Sequence, residues 1–180
     1  DDYTPQGMTY WKAKDWILIS AYDATGEGKN SVIYALDGKS TKFVALFKVV
    51  NADGSVNTSH GGGIAASEYN FYYADEGSKI SYVPLSEMDV AEGTVKEIRL
   101  KGSINCAKEL GGAATSYCCY DEGVLWTGNF YFTGDDRYKT PAYSDYPSVL
   151  MGYKLVGDSS EEEWAYLNGK YTNLLEVTAS

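Results

Sequence analysis

The segment SHGGGIAAS, residues 59–67, carries the single histidine of the chain, followed at once by three glycines. An imidazole titrates near neutrality and can serve as a general base or as a metal ligand. Because His60 is the sole histidine, a Ser-His-Asp arrangement or a metal site would have to take its other members from carboxylates or from another chain. The alternative is a histidine hydrogen-bonded into the scaffold, and both readings stay open. Gly61, Gly62 and Gly63 resemble a phosphate cradle only superficially, since no helix pattern follows to supply amides at its N-terminus. They are expected to be packing glycines.

The carboxylates give two further sets. ADEGS places Asp75 next to Glu76, and TGDDRY places Asp135 and Asp136 next to Arg137. Paired carboxylates can act as acid and base or hold a metal. Both sets fall in turn-like stretches, where Asp is favoured for its tolerance of positive φ and for solubility, and that is the expected role. Glu161, Glu162 and Glu163 are expected on the solvated face of a short helix near the C-terminus. Cys106, Cys118 and Cys119 are odd in number and the vicinal pair alternates sides in a strand, so no disulfide framework follows. They are expected as small apolar strand residues. No metal site and no particular cofactor is implied. The tyrosines form the densest aromatic group: 17 in the chain, with Tyr131, Tyr138, Tyr143 and Tyr146 in or beside FTGDDRYKTPAYSDYP, residues 132–147. Flat apolar rings with one hydroxyl suit glycans, peptides or a protein surface.

These residues hang on strands. DWILISAY, SVIYAL, KFVALFKVV, NFYYAD, KISYVPL and GVLWTGNFYF alternate apolar and polar positions and are rich in β-branched and aromatic residues. DATGEGKN, DGKST, NADGS, DEGS and YDEG separate them with turn chemistry. The pattern repeats over residues 5–50, 60–102 and 110–157, with 158–180 left as the start of a further unit or a connecting segment. Gly7, Gly63 and Gly112 sit at equivalent places, roughly 50 residues apart, near the period of propeller blades. The predicted fold is therefore all-β: a single β-propeller domain, partial, with about three four-stranded blades. A lone blade cannot bury both faces, and glycines at its innermost strand relieve crowding at the axis.

With 15 basic and 25 acidic residues the net charge is −10, which repels phosphate backbones and anionic lipid and argues against a nucleic-acid partner. No stretch approaches the roughly 20 apolar residues of a spanning helix. The chain opens DDYTPQGM, without an initiator methionine or a signal-peptide pattern, and is expected to be a processed product.

PQGMTYWKAKDWILISAYD, HGGGIAAS and DEGVLWTGNFYF…GYKL together resemble the first half of secreted bacterial β-propeller proteins of the lactonase-like and NHL-like six-bladed kind, over residues 5–157. The resemblance implies an extracellular setting and further blades, supplied by a second chain or by a second copy; closure of three units as a sandwich or small barrel is the remaining option. Lactonases of this kind place Glu, Asn and Asp on calcium at the channel. The positions before the equivalent glycines are Gln6, Gly62 and Gly111, so no calcium site of that type is expected, and Gln6 is left as a channel hydrogen-bonding group. Two functions follow. The first is a two-chain hydrolase, autoprocessed from one precursor, acting on a small molecule, peptide or amide, with His60 catalytic and Gln6, Asn105 and Asn129 lining the channel. The second is a binding module that holds a glycan or protein through Tyr131, Tyr138, Tyr143 and Tyr146. The sequence leans towards the hydrolase, because cleavage into associated pieces would free a reactive group.

Overall fold

The computed structural model describes residues 2–75, 79–106, 115–130, 149–170 and 173–178. Hairpins dominate. Strands β1 (Tyr3–Trp11), β2 (Trp16–Asp23), β3 (Val32–Asp37) and β4 (Phe43–Val50) run antiparallel in chain order. β5 (Gly63–Ala66), β6 (Asn70–Asp75) and β7 (Lys79–Pro84) follow, then a single helical turn α1 (Leu85–Met88), β8 (Thr94–Arg99) and β9 (Lys101–Asn105). The last sheet holds β10 (Tyr117–Asp121), β11 (Val124–Gly128), β12 (Val149–Lys154) and β13 (Asn173–Thr178), with α2 (Ser160–Lys170) before its final strand. Local chemistry sets the turns. Glu122 and Gly123 both adopt positive φ, +44° and +82°, which is what a two-residue hairpin between β10 and β11 demands. At other turns Asp23, Asp37 and Asp53 accept hydrogen bonds from Thr25, Ser40 and Ser55 respectively. Those bonds hold all three carboxyls below the usual range, Asp23 at about 2.

Three sheets result, in the orders β1-β2-β3-β4-β8, β5-β6-β7-β9 and β10-β11-β12-β13. They stack through two separate cores. Leu18, Ile33, Ala45 and Phe47 of the first sheet pack on Ile64, Ala66, Phe71, Tyr73 and Val83 of the second. The opposite face of the second sheet, Ala65, Tyr72, Ala74, Ile80 and Tyr82, packs on Cys118, Leu125, Met151 and Tyr153 of the third. Tyr72 and Tyr73, neighbours in β6, are both fully buried, one in each core. Alternation that on a solvated sheet would read apolar then polar is apolar on both sides here, because this sheet is covered twice. β5 lies beside β1 on one side and β10 on the other, so the first strand of each sheet lines a common axis. This is a propeller-type arc of three blades, the predicted architecture, and among the described residues its three sheets do not close into a ring.

Strand membership departs from the repeat at two places. Residues 94–99 pair as β8 in parallel with β4 of the first sheet, although the repeat counts them with the second blade; after α1 the chain crosses back, buries Ile98 in the first core and only then returns as β9. The outer strand of the third sheet is β13, beyond residue 157, so the segment from 158 onward completes that blade.

Truncating Phe47, fully buried between the first two sheets, to alanine is expected to lower unfolding free energy by about 3–5 kcal/mol. A urea titration followed by tyrosine and tryptophan fluorescence measures it.

Candidate functional site

The axial end is built from a bulge and a crossing segment. In β1 the register jumps between Pro5, opposite Ala21, and Met8, opposite Ile19, leaving Gln6 and Gly7 to face Ser20. The Gly7 amide donates to Ser20 Oγ at 2.8 Å, and Ser20 Oγ donates in turn to the Gly61 carbonyl at 2.7 Å. The crossing segment that delivers β5 is tied down behind this point. Ser31 Oγ donates to the Ser59 carbonyl at 2.5 Å, Ser59 Oγ donates to Asn57 Oδ1 at 2.9 Å, and the Tyr73 hydroxyl lies 3.0 Å from Ser59 Oγ. Asn57 and Ser59 are buried; their polar atoms are satisfied within this network, as buried groups require.

The glycines are packing glycines. A Cβ on Gly63 would lie 2.1 Å from the Cys118 amide nitrogen and 2.4 Å from Tyr117 Cα. One on Gly62 would lie 2.5 Å from the Ser116 carbonyl oxygen. Gly61 has φ +58°, and a Cβ there would strike the Tyr73 ring. Backbones of adjacent blades thus meet without intervening side chains.

His60 is exposed at the start of this segment, with its ring edge-on to Tyr22 at 4.3 Å between centroids and an interplanar angle of 63°. Gln6 is exposed as well. Gly7 lies against the Gly61 carbonyl, and Gln6 and His60 are the residues just before those two glycines, so both sit at the same end of the inner strands. Together with Tyr22 they offer an amide, an imidazole and an aromatic edge, which suits hydrogen-bonded capture of a polar ligand. Asn105 does not join them. It lies in β9, the outermost strand of the second sheet, three strands from β5 and therefore on the order of 14 Å from the axis. Asn129 follows β11 and is buried. Tyr131, Tyr138, Tyr143, Tyr146, Glu76, Asp135, Asp136, Arg137, Gly111 and Gly112 lie outside the described residues. Asp75 ends β6 and borders an open groove of about 390 Å³ shared with Asn51, Asp53, Lys79, Ser81 and Ser103.

Among the described residues no group of three or more His, Cys, Asp or Glu side chains is placed to hold a metal ion, and no helix is long and apolar enough to cross a membrane. Cys119 is exposed, whereas Cys106 and Cys118 are buried. Cys106 and Cys118 are core residues, and burial pushes the Cys118 thiol well above its ordinary value, which keeps it from acting as a thiolate nucleophile.

Two features were not found from sequence. The first is Glu163. Glu161 and Glu162 are exposed as expected, but Glu163 is 3% exposed. Its Oε2 accepts hydrogen bonds from Ser67 Oγ at 2.7 Å, Asn70 Nδ2 at 2.8 Å and the Tyr72 hydroxyl at 3.0 Å. The solvated-face expectation fails because Glu163 shares a helix face with Leu167, one turn on and buried in the second core; that i, i+4 spacing was the available signal. The second is the detail of the outer face of the first sheet. Met8, Ile19, Tyr34, Leu46 and Val95 lie opposite one another across all five strands. Tyr10, Ile17, Leu36 and Phe43 form a parallel row. Met8 is 70% exposed and Val95 59%. Two apolar rows thus run side by side on one face of this sheet, opposite the face that packs on the second sheet.

No family model matches the chain, and no curated protein matches it. Among solved structures 22 chains match. One is the β-propeller domain of Cps50 (Swd1) from Myceliophteria thermophila, to which this chain is similar with a TM-score of 0.44 and 8% identity over 99% of its length. The match covers 42% of that chain, so the present sequence spans less than half of it. The class is defined by the stacked sheets themselves: an all-β protein of propeller type.

Proposed function

We propose that this chain is an assembly-dependent binding module, three blades of an extracellular propeller whose remaining blades come from a second chain or a second copy. The observation that carries this is the pair of apolar rows across the first sheet, from Met8 to Val95 and from Tyr10 to Phe43. A covered face of this kind would match the stacking already seen between the first and second sheets, and the completed ring would present its axial end, with Gln6, Tyr22 and His60, to a glycan, peptide or small polar ligand. Native mass spectrometry tests it. The expected species is heavier than the 19.7 kDa chain, by a companion or by a whole multiple; a lone 19.7 kDa ion across micromolar concentrations would overturn it.

A second reading is the two-chain hydrolase of the lactonase-like kind, with an autoprocessed precursor and the nucleophile on the partner. The placement of exposed His60 beside Tyr22 and near Gln6 favours it. Under that reading His60→Ala lowers turnover of ester or amide substrates by at least about 10²-fold, the scale of a lost general base, with assembly intact. Under the binding reading His60→Ala leaves the assembly without any turnover to lose, while deletion of residues 133–147 abolishes retention on a glycan or peptide array.

A further inference from the structure

Helix α2 belongs to the third sheet by sequence, between β12 and β13, yet it docks on the second. Its first turn is capped by Ser159, whose Oγ accepts from the Glu162 amide at 3.2 Å and whose carbonyl accepts from the Glu163 amide at 3.0 Å. Glu163 then receives the three side-chain donors of the β5–β6 turn and β6 described above. Asn70 holds the helix end a second time: its Nδ2 donates to the Ser160 carbonyl at 3.0 Å and its Oδ1 accepts from Ser160 Oγ. One residue on, Trp164 stacks on Tyr82 of β7 at 4.1 Å and 25°, in space left by Gly102, where a Cβ would lie 2.6 Å from the indole. The contact is therefore a fitted one, with the Glu163 carboxyl at its centre.

We propose that α2 is a clasp between the second and third sheets that grips harder when Glu163 is protonated and loosens when it ionises. A neutral acid can carry its proton on Oε1 and still present Oε2 to Ser67, Asn70 and Tyr72, whereas an ionised one must be held away from water. The titratable groups around it are Glu68 on the β5–β6 turn, Tyr72 on β6, Cys118 and Tyr120 on β10, with Tyr82, Lys101 and Glu87 further along the helix and Glu161 and Glu162 on its own turn. Burial raises the Glu163 carboxyl above its ordinary value, Glu68 raises it further, and the three donors offset part of this. A docked value above the free one means that the docked state binds the proton better. The stability so contributed is present in acid and is lost as pH rises through the docked value.

Hydrogen exchange from pH 5 to pH 8, corrected for the intrinsic pH dependence of exchange, tests the clasp. The expected result is a several-fold loss of protection with rising pH, parallel in α2 and in residues 67–72, and a flat, high profile in Glu163→Gln, which keeps the shape without the charge. Tyr72→Phe, which removes one donor to the carboxylate, steepens the loss; this variant decides the matter if Glu163→Gln does not fold. Wild-type protection independent of pH, the same slope in Glu163→Gln, or an unaltered profile in Tyr72→Phe would each overturn the proposal.

Discussion

Gly63→Ala is expected to remove about 3 kcal/mol or more of stability, a large share of the roughly 5–15 kcal/mol that holds an ordinary domain folded. The added methyl would meet the Cys118 amide nitrogen at 2.1 Å and Tyr117 Cα at 2.4 Å. Overpacking a core with a methylene ordinarily costs about 1–3 kcal/mol because side chains can turn aside. Here the obstacle is the backbone of β10, held by five paired positions to β11, so relief requires moving a whole sheet. Gly7→Ala is the matched control. Its Cβ would approach the Ser20 hydroxyl at 3.0 Å and the Gly61 oxygen and Gly63 Cα at 3.3 Å, contacts that yield by a few tenths of an ångström. Urea midpoints of the two variants against wild type should differ widely. Equal, small shifts would mean that the inner strands are not in backbone contact.

That contrast also marks what was legible in the sequence. The glycines before inner strands and the Asp and Gly turns are readable because each follows a local rule, a close approach or a positive φ; the two-sided burial of NFYYAD is not, since alternation does not say that a sheet is covered twice. Which sheet a strand joins is not local. Thr94–Arg99 has one buried position, Ile98, amid exposed or half-buried ones, and such an edge strand looks the same whether it closes the first blade or the second. Glu163 was hidden by its neighbours, since a run of three acids reads as solvated until the helix phase is fixed. His60 lies just before β5, the inner strand of the second sheet, while Asn105 ends β9, its outermost strand, a difference that follows from sheet order and has no local signature.

The second large effect concerns the first sheet. Ile19 and Tyr34 lie at the centre of the row from Met8 to Val95, and both are half-buried. Covering a face of this kind would contribute roughly 1.5–3 kcal/mol per large apolar side chain, and a carboxylate placed there would have to be desolvated without a partner. Ile19→Glu or Tyr34→Glu is therefore expected to weaken assembly by at least about 10²-fold, since two decades at about 1.4 kcal/mol each lie within what one covered side chain contributes together with the unpaired charge. The fold of the chain itself should survive, because neither residue belongs to the first core. Circular dichroism of the variants checks that separately.

Sedimentation velocity of the wild-type protein beside Tyr34→Glu is the most direct measurement of the whole account. It should show a wild-type species well above the mass of one chain and a shift of the variant towards the single chain. Wild type and variant sedimenting alike as stable, folded single chains would contradict the claim that this blade face is built to be covered.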